Sequence, residues 1–266
     1  NLLKCSKVVN RPSPIIGISD KAPVIYIWGD PLDYTLSPFF QEHALGICGH
    51  RIIYKVFRGN VEEFRQILMS RKCIGANITS PHKQKAVEIC EELSDRASKA
   101  GSVNTIYKKD GKLCGDSTDG CGLVKWLKFK DILSEEMNVA GNGGSAVSIC
   151  QALAEEGVNI TIYGRKEKGW EKKSGVFKDL NERKKGVLSI NTLPFEINEE
   201  NVMNISYSFE KITEDAAGML AFQGFLSAEK WFPGISISES DFLRIVFIHR
   251  QAALNNALIL KLAGLK

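Results

Sequence analysis

Short apolar runs alternate with longer amphipathic stretches along most of the chain. The run at 24–28 is followed by an amphipathic stretch at 37–48, that at 52–57 by 61–69, and that at 74–77 by 81–93. Brief apolar runs suit buried strands, and apolar residues three and four apart suit one face of a helix. The alternation therefore predicts β/α units around a largely parallel sheet. Residues 103–107 and 112–115 flank Lys109-Asp110-Gly111, a turn sequence that predicts a hairpin.

The second half repeats the rhythm more briefly. A helix is expected at 120–128, then a polar loop and a strand at 138–140 that runs into a glycine cluster. Beyond it come a helix at 145–156, a strand at 159–163, a basic stretch dotted with glycine at 164–186, and strands at 187–191 and 202–207. Long helices follow at 215–231 and 241–262. The last carries Leu243, Val246, Phe247, Leu254, Leu258 and Leu262 near helical spacing, so it is expected to pack back on the first domain. The expected fold is α/β, with two domains and a cleft between them. Residues 1–22 read as an extension or linker, 23–120 with the terminal helix 239–266 as one domain, and 121–238 as a compact Rossmann-like unit.

A chain of 266 residues, 44% hydrophobic and 25% charged, has the composition of a folded soluble protein and enough length for two modest cores. The formal charge of +4 draws small anions without a dedicated patch and adds little to a nucleic-acid reading. Seven cysteines, an odd number without CxxC spacing, argue against a metal site or a disulfide framework and suggest buried thiols in a reducing cytosol. No apolar run is long enough for a membrane span, and residues 1–10 lack the apolar core of a signal peptide. A start at Asn1 suggests a piece of a longer polypeptide.

Gly141-Asn142-Gly143-Gly144-Ser145-Ala146 forms G-x-G-x-x-A between a predicted strand and a predicted helix. There the first glycine permits a tight turn, the second lets backbone approach a pyrophosphate, and the small last residue allows close packing; the helix start offers free N–H groups. The next strand ends at Tyr163-Gly164-Arg165-Lys166. An NAD site would place an acid there for the ribose hydroxyls, whereas Arg165 and Lys166 suit the 2′-phosphate of NADP. A solvated basic loop is the plain alternative.

Three segments of the first half put polar residues where loops should follow strands. They are Gly29-Asp-Pro-Leu-Asp-Tyr-Thr-Leu-Ser-Pro38, Gly75-Ala-Asn-Ile-Thr-Ser-Pro-His-Lys83, and Gly101-Ser-Val-Asn-Thr-Ile106 continuing to Gly115-Asp-Ser-Thr-Asp-Gly120. Together they resemble the shikimate dehydrogenase family, whose patterns G-x-P-x-x-H-S-x-S-P, N-x-T-x-P-x-K, G-A-V-N-T and N-T-D-G occur in this order. The resemblance extends over residues 23–232 and includes Gly218-Met-Leu-Ala-Phe-Gln223. It implies that Lys83 and Asp119 are the catalytic pair, and that Thr35 and Ser37 hold the carboxylate of a small polyhydroxy acid. It also implies that Thr79, Asn104 and Gln223 hold ring hydroxyls and that Tyr207 lies near the nicotinamide.

The chemistry agrees with these roles. Reducing a ketone needs a hydride donor and a proton source at the oxygen, where negative charge develops, and a lysine suits that place. Lys83 is expected one turn into a helix begun by Pro81, with Asp119 holding its ammonium. Hydroxyls that both donate and accept suit a polyol acid. Taken singly, such a lysine is an ordinary solvated group and Asp119 an ordinary cap or turn; the order of the motifs carries the assignment. His82 and His43 match no catalytic position of the family.

Several positions depart from the family pattern. Its histidine and first serine are Tyr34 and Thr35 here, and its N-T-D asparagine is Ser117. The N-R-T that follows the second nucleotide strand is Gly164, Arg165 and Lys166, and an arginine after the glycine loop is replaced by Val147. Only ten residues separate Tyr207 from Gly218, so a β/α connection is expected to be lost. The leading expectation is reversible NADPH-dependent reduction of 3-dehydroshikimate to shikimate in chorismate and aromatic amino-acid biosynthesis. Fusion to another shikimate-pathway domain fits the extension at 1–22. The alternatives are a quinate/shikimate dehydrogenase using NAD and a non-catalytic descendant with an impaired cofactor domain.

Overall fold

The computed structural model describes residues 22–30, 32, 35, 37–183, 186–205 and 212–262, without the side chains of His249 and residues 252–262. Residues 1–21 of the extension or linker expected at 1–22, and Tyr207, lie outside the described residues. The chain is an α/β protein built on two sheets.

The first sheet contains β1 (Val24–Trp28), β2 (Ile53–Phe57), β3 (Cys73–Ile78), β4 (Glu92–Leu93), β5 (Thr105–Lys109) and β6 (Lys112–Asp116), in the order β2-β1-β3-β5-β6-β4. Only β5 runs against the others. Its reversal is local in origin: Asp110 and Gly111 take φ values of 51° and 80°, and two left-handed residues make a turn that matches the twist of the paired strands. Helices α1 (Ser37–Ile47), α2 (Val61–Met69), α3 (Lys85–Ile89) and α4 (Asp95–Ala100) join these strands. A capping box starts α2, with the Asn60 side chain on the Glu63 N–H and the Glu63 carboxylate on the Asn60 N–H.

The single helix expected at 81–93 is absent. Residues 81–84 form turns, α3 is short, and 91–94 are drawn to the sheet by bonds from Glu91 N to Leu113 O and from Ser94 N to Gly115 O. Sheet pairing overrides helical periodicity there, and the Ser94 side chain then caps α4, a helix the periodicity did not reveal.

The second sheet holds β7 (Glu136–Ala140), β8 (Asn159–Gly164), β9 (Val176–Asp179), β10 (Ser189–Asn191) and β11 (Val202–Asn204), all parallel, in the order β11-β10-β7-β8-β9. Numbered within this sheet, the order is 3-2-1-4-5, the doubly wound Rossmann pattern with its switch point between β7 and β10. Helix α5 (Asp119–Phe129) precedes it, and α6 (Gly144–Glu155) connects β7 to β8. Among the described residues the remaining crossovers contain 3-10 turns at Glu171–Lys173 and Leu180–Glu182 and a loop at 192–201. Asparagines brace that last loop. Asn191 Nδ2 donates to Phe195 O and to Asn204 Oδ1, Asn191 Oδ1 accepts the Leu193 N–H, and Asn204 bonds both N and O of Ile197.

Helix α7 (Glu214–Trp231) joins the sheets. Its start crosses α5 where Gly218 lies against Trp126, and its end reaches the first sheet, where Trp231 Nε1 donates to Ile106 O beside Gly75. Helix α8 (Glu239–Leu262) buries Phe242, Ile245 and Val246 against α7 and against Phe40 and Ala44 of α1. Among the described residues no helix is long and apolar enough to cross a membrane.

Candidate active site

The polar loops of the first sheet gather at one edge. Thr35 and Ser37 follow β1, Thr79 and Lys83 follow β3, Asp119 follows β6, and Asn104 opens the antiparallel β5. Two bonds join the first two loops, from Asp30 N to Ser80 O and from Thr79 N to Trp28 O. Gly29 keeps them close, since a Cβ there would stand 2.2 Å from Thr79 Cγ2. Thr35 Oγ1 accepts the Ser37 N–H at 3.3 Å.

Lys83 Nζ meets Asp119 Oδ2 at 2.6 Å, with side chains 18% and 12% exposed. Lys83 precedes α3 rather than lying inside a helix, because 81–84 are turns; its carbonyl accepts the Val103 N–H, which ties it to the strand carrying Asn104. Asp119 is the first residue of α5, where a carboxylate is favoured by the helix dipole. Asn104 lies within reach of three acceptors through Nδ2: Asp119 Oδ1 at 2.8 Å, Thr118 Oγ1 at 2.9 Å and Gln223 Oε1 at 3.2 Å. An amide carries two such hydrogens, so one acceptor is always left for another donor. Gln223 reaches this point because α5 and α7 cross at Gly122, whose Cβ would stand 2.7 Å from Gln223 Cβ.

A buried polar chain continues behind these groups. Ser227 Oγ contacts Thr105 Oγ1, Thr118 Oγ1 and Asn77 Nδ2, and Tyr54 donates to Asn77 Oδ1. The turn before Asp119 is anchored by Asp116, a fully buried carboxylate on β6. Arg96 binds it through two nitrogens at 2.6 Å, Ser94 Oγ at 2.6 Å and Lys230 Nζ at 3.0 Å, and its Oδ1 accepts the Ser117 N–H. Burial pushes the Asp116 carboxyl up, but the Arg96, Ser94 and Lys230 bonds outweigh it and hold the group well below the usual carboxylate range.

His82 and His43 take packing places. His82 stacks on Trp28 at 4.1 Å, and burial and Lys85 lower its affinity for a proton against the opposing pull of Asp30. His43 packs on Phe39.

In the second sheet, Gly141-Asn142-Gly143 turns from β7 into α6. Gly141 has φ +105° and lies against Thr192, which follows β10; Gly143 and Gly144 face open space. Gly144, Ser145 and Ala146 form the first turn of α6, whose N–H groups have no acceptor within their own helix. Arg165 and Lys166 are exposed just after β8. Asn142 Nδ2 donates to Lys166 O and to Glu171 Oε1, Lys168 Nζ donates to Asn142 O, and the buried Glu171 carboxylate accepts the Lys168 N–H. Burial raises the Glu171 carboxyl, and these donors bring it below its usual range. Gly164 makes room for Asn142, whose Cγ would lie 3.1 Å from a Cβ there.

The family model for the shikimate dehydrogenase substrate binding domain matches residues 27–106. The shikimate dehydrogenase (NADP(+)) of Prochlorococcus marinus subsp. pastoris is 34% identical over 179 residues, which cover 65% of this chain and 62% of that protein. Over these residues the chain is similar to shikimate dehydrogenases. It spans between 54% and 62% of the length of the curated relatives compared. Solved structures of shikimate dehydrogenases have the same fold. The shikimate 5-dehydrogenase of Thermus thermophilus, in complex with NADP(H) and shikimate, superposes with a TM-score of 0.73 at 22% identity over 85% of this chain and 99% of that one. The chorismate mutase/shikimate 5-dehydrogenase fusion protein of Clostridium acetobutylicum gives 0.76 at 22% identity over 87% and 98%.

Of the residues carried over from the family pattern, the structure brings Lys83, Asp119, Asn104 and Gln223 into one bonded group and sets Thr35 and Thr79 on the adjoining loops and Ser37 at the start of α1. Thr118, Ser227 and the Arg96–Asp116–Lys230 cluster were missed. Ser227 had a legible signal, since it lies four residues after Gln223 and so on the same helical face. The ion cluster joins residues far apart in sequence and had none.

Proposed function

We propose that this chain catalyses the reversible NADPH-dependent reduction of 3-dehydroshikimate to shikimate, within chorismate and aromatic amino-acid biosynthesis. The Lys83–Asp119 contact, joined to Asn104 and Gln223, carries the reading. Residues 23–120 with the terminal helix would hold the acid, and 121–238 the dinucleotide. The cytosol is the proposed compartment, where thiols such as buried Cys73, Cys114 and Cys150 stay reduced.

The nucleotide half fits the cofactor: glycines open at the start of α6 for the pyrophosphate, and Arg165 and Lys166 at the end of β8 for a 2′-phosphate. NADPH, when bound there, supplies the hydride. Thr35 and Ser37 hold the substrate carboxylate with their hydroxyls, and Thr79, Asn104 and Gln223 bind and orient the ring hydroxyls. Lys83 donates one proton to the carbonyl oxygen as it gains negative charge and takes that proton back in the oxidative direction. Asp119 keeps the ammonium aimed, and Asn104 fixes the free carboxylate oxygen of Asp119.

Steady-state rates with shikimate or quinate, each with NADP+ or NAD+, test the reading. The expected result is preferred turnover of shikimate with NADP+. Preferred turnover of quinate with NAD+ overturns the substrate and cofactor assignment, and the absence of any turnover overturns the activity.

A further inference from the structure

Helix α6, which starts at the glycine loop, and helix α5, which starts at Asp119, touch backbone to backbone. A Cβ on Gly120 would stand 2.0 Å from the Ser148 carbonyl oxygen and 2.9 Å from Ala152 Cβ, so the crossing requires glycine at 120. At this contact Ser148 Oγ accepts the Gly120 N–H at 3.0 Å and lies 3.1 Å from Ser117 Oγ. Ser117, Ser148 and Gly120 are all buried. The Gly120 amide is among the first-turn donors that no carbonyl of its own helix can satisfy, and the Thr118 side chain makes no capping bond. Ser148 therefore caps α5 from the neighbouring helix, about one turn after Gly144.

We propose that Ser148 is a positioning residue: through Gly120 and Ser117 it fixes Asp119, and with it the Lys83 ammonium, relative to the helix whose N-terminus receives the dinucleotide. The inference rests on the dehydrogenase reading and deepens it. Proton donor and hydride donor come from different sheets but must meet at one carbonyl group. A bond that joins their two supporting helices sets the distance between them, and Ser117 takes part from the position where the family pattern has asparagine. Ser148 Oγ is buried at the helix crossing and engaged with Gly120 and Ser117, so its loss should act on the chemical step and spare ground-state binding.

The test is Ser148→Ala, with Ser117→Ala as a milder second variant that keeps the Gly120 bond. Ser148→Ala should lower kcat about tenfold, because small misplacements at a reacting centre are costly. KM for shikimate and NADP+ should stay within about twofold, while the primary isotope effect on kcat with shikimate deuterated at the transferred position should rise. Ser117→Ala should show the same split at about threefold. Thermal melting on each variant scales kcat to the folded fraction. Unchanged kcat in both variants, or a KM for NADP+ that rises in step with any loss of kcat, overturns the proposal alone. No shikimate oxidation by the unaltered chain overturns the functional reading and the proposal with it.

Discussion

The two halves of the molecule solve the same problem in different ways. Each lays parallel strands side by side and places polar loops at their carboxyl ends. In the first, capped helices such as α2 and α4 connect the strands, and the polar side chains at the edge converge on one buried group around Asp119 and Asn104. In the second, α6 is the one α-helical crossover among the described residues, and side chains brace the loops: Asn191 and Asn204 hold the 192–201 loop, while Asn142 and Glu171 hold the loop carrying Arg165 and Lys166. On the proposed function, the difference places chemistry and cofactor affinity on separate supports. One is buried and shared among many elements, and the other is local and partly wet.

The strongest way to break this comparison is at Lys83. Replacing it with Met should lower kcat by about 10²–10⁴, the usual contribution of a positioned proton donor, while KM for NADP+ stays within a few-fold. A variant with near-normal kcat would remove Lys83 from its role and leave the first half without its chemistry.

Asp116 tests whether the first half depends on its buried ions. Asp116→Asn leaves the Arg96 and Lys230 cations without their anion. Breaking a buried pair usually costs about 3–5 kcal/mol, and Arg96 at 28% exposed keeps some water, which points to about 3 kcal/mol in urea unfolding. The pH dependence has a definite sign. A carboxylate held below its ordinary value in the folded chain contributes fully above about pH 4 and loses that contribution as the pH falls through the depressed value. The unaltered chain should therefore lose stability on acidification more steeply than Asp116→Asn. Parallel acid limbs would show that Asp116 is not the group responsible.

How much of this was legible in sequence follows the same division. Strands β1 and β3, the hairpin at Asp110-Gly111 and the glycine loop are set by runs of a few residues, and their positions were readable to within one or two. Strand β9 was hidden inside the basic stretch 164–186 because its residues are half-buried or exposed, so no alternation marks it. Lys83 and Asp119 were found by motif order, but their contact depends on β3 and β6 lying on either side of β5, which no local pattern reveals. The stretch 81–93 was misread as one helix for a similar reason, since the bonds that compete at 91–94 come from β6 and the one on Lys83 O comes from Val103.

Cofactor choice sharpens the comparison at a smaller scale. The double substitution Arg165→Ala/Lys166→Ala should raise KM for NADP+ about tenfold and leave KM for NAD+ within twofold, since a 2′-phosphate is the only group the two cofactors do not share. An equal rise for both would place these cations on the pyrophosphate or on the loop's own fold.

The smallest effect is expected at Asn191. Its side chain is fully buried, donates to Phe195 O and Asn204 Oδ1 and accepts from Leu193 N, so Asn191→Ala strands several groups at once. Unsatisfied buried groups cost about 1–3 kcal/mol, but Phe195 is exposed and water can reach its carbonyl, which favours about 1 kcal/mol. The bonds lie in the β10–β11 crossover, apart from the Lys83–Asp119 pair. Urea unfolding should show the loss, KM for NADP+ should change by no more than about threefold, and kcat at saturating cofactor should hold. A fall in kcat approaching that of Lys83→Met would mean that the loop braces of the second sheet reach the proton pair. The separation of supports between the two halves would then fail, with the Ser148 crossing the path through which it failed.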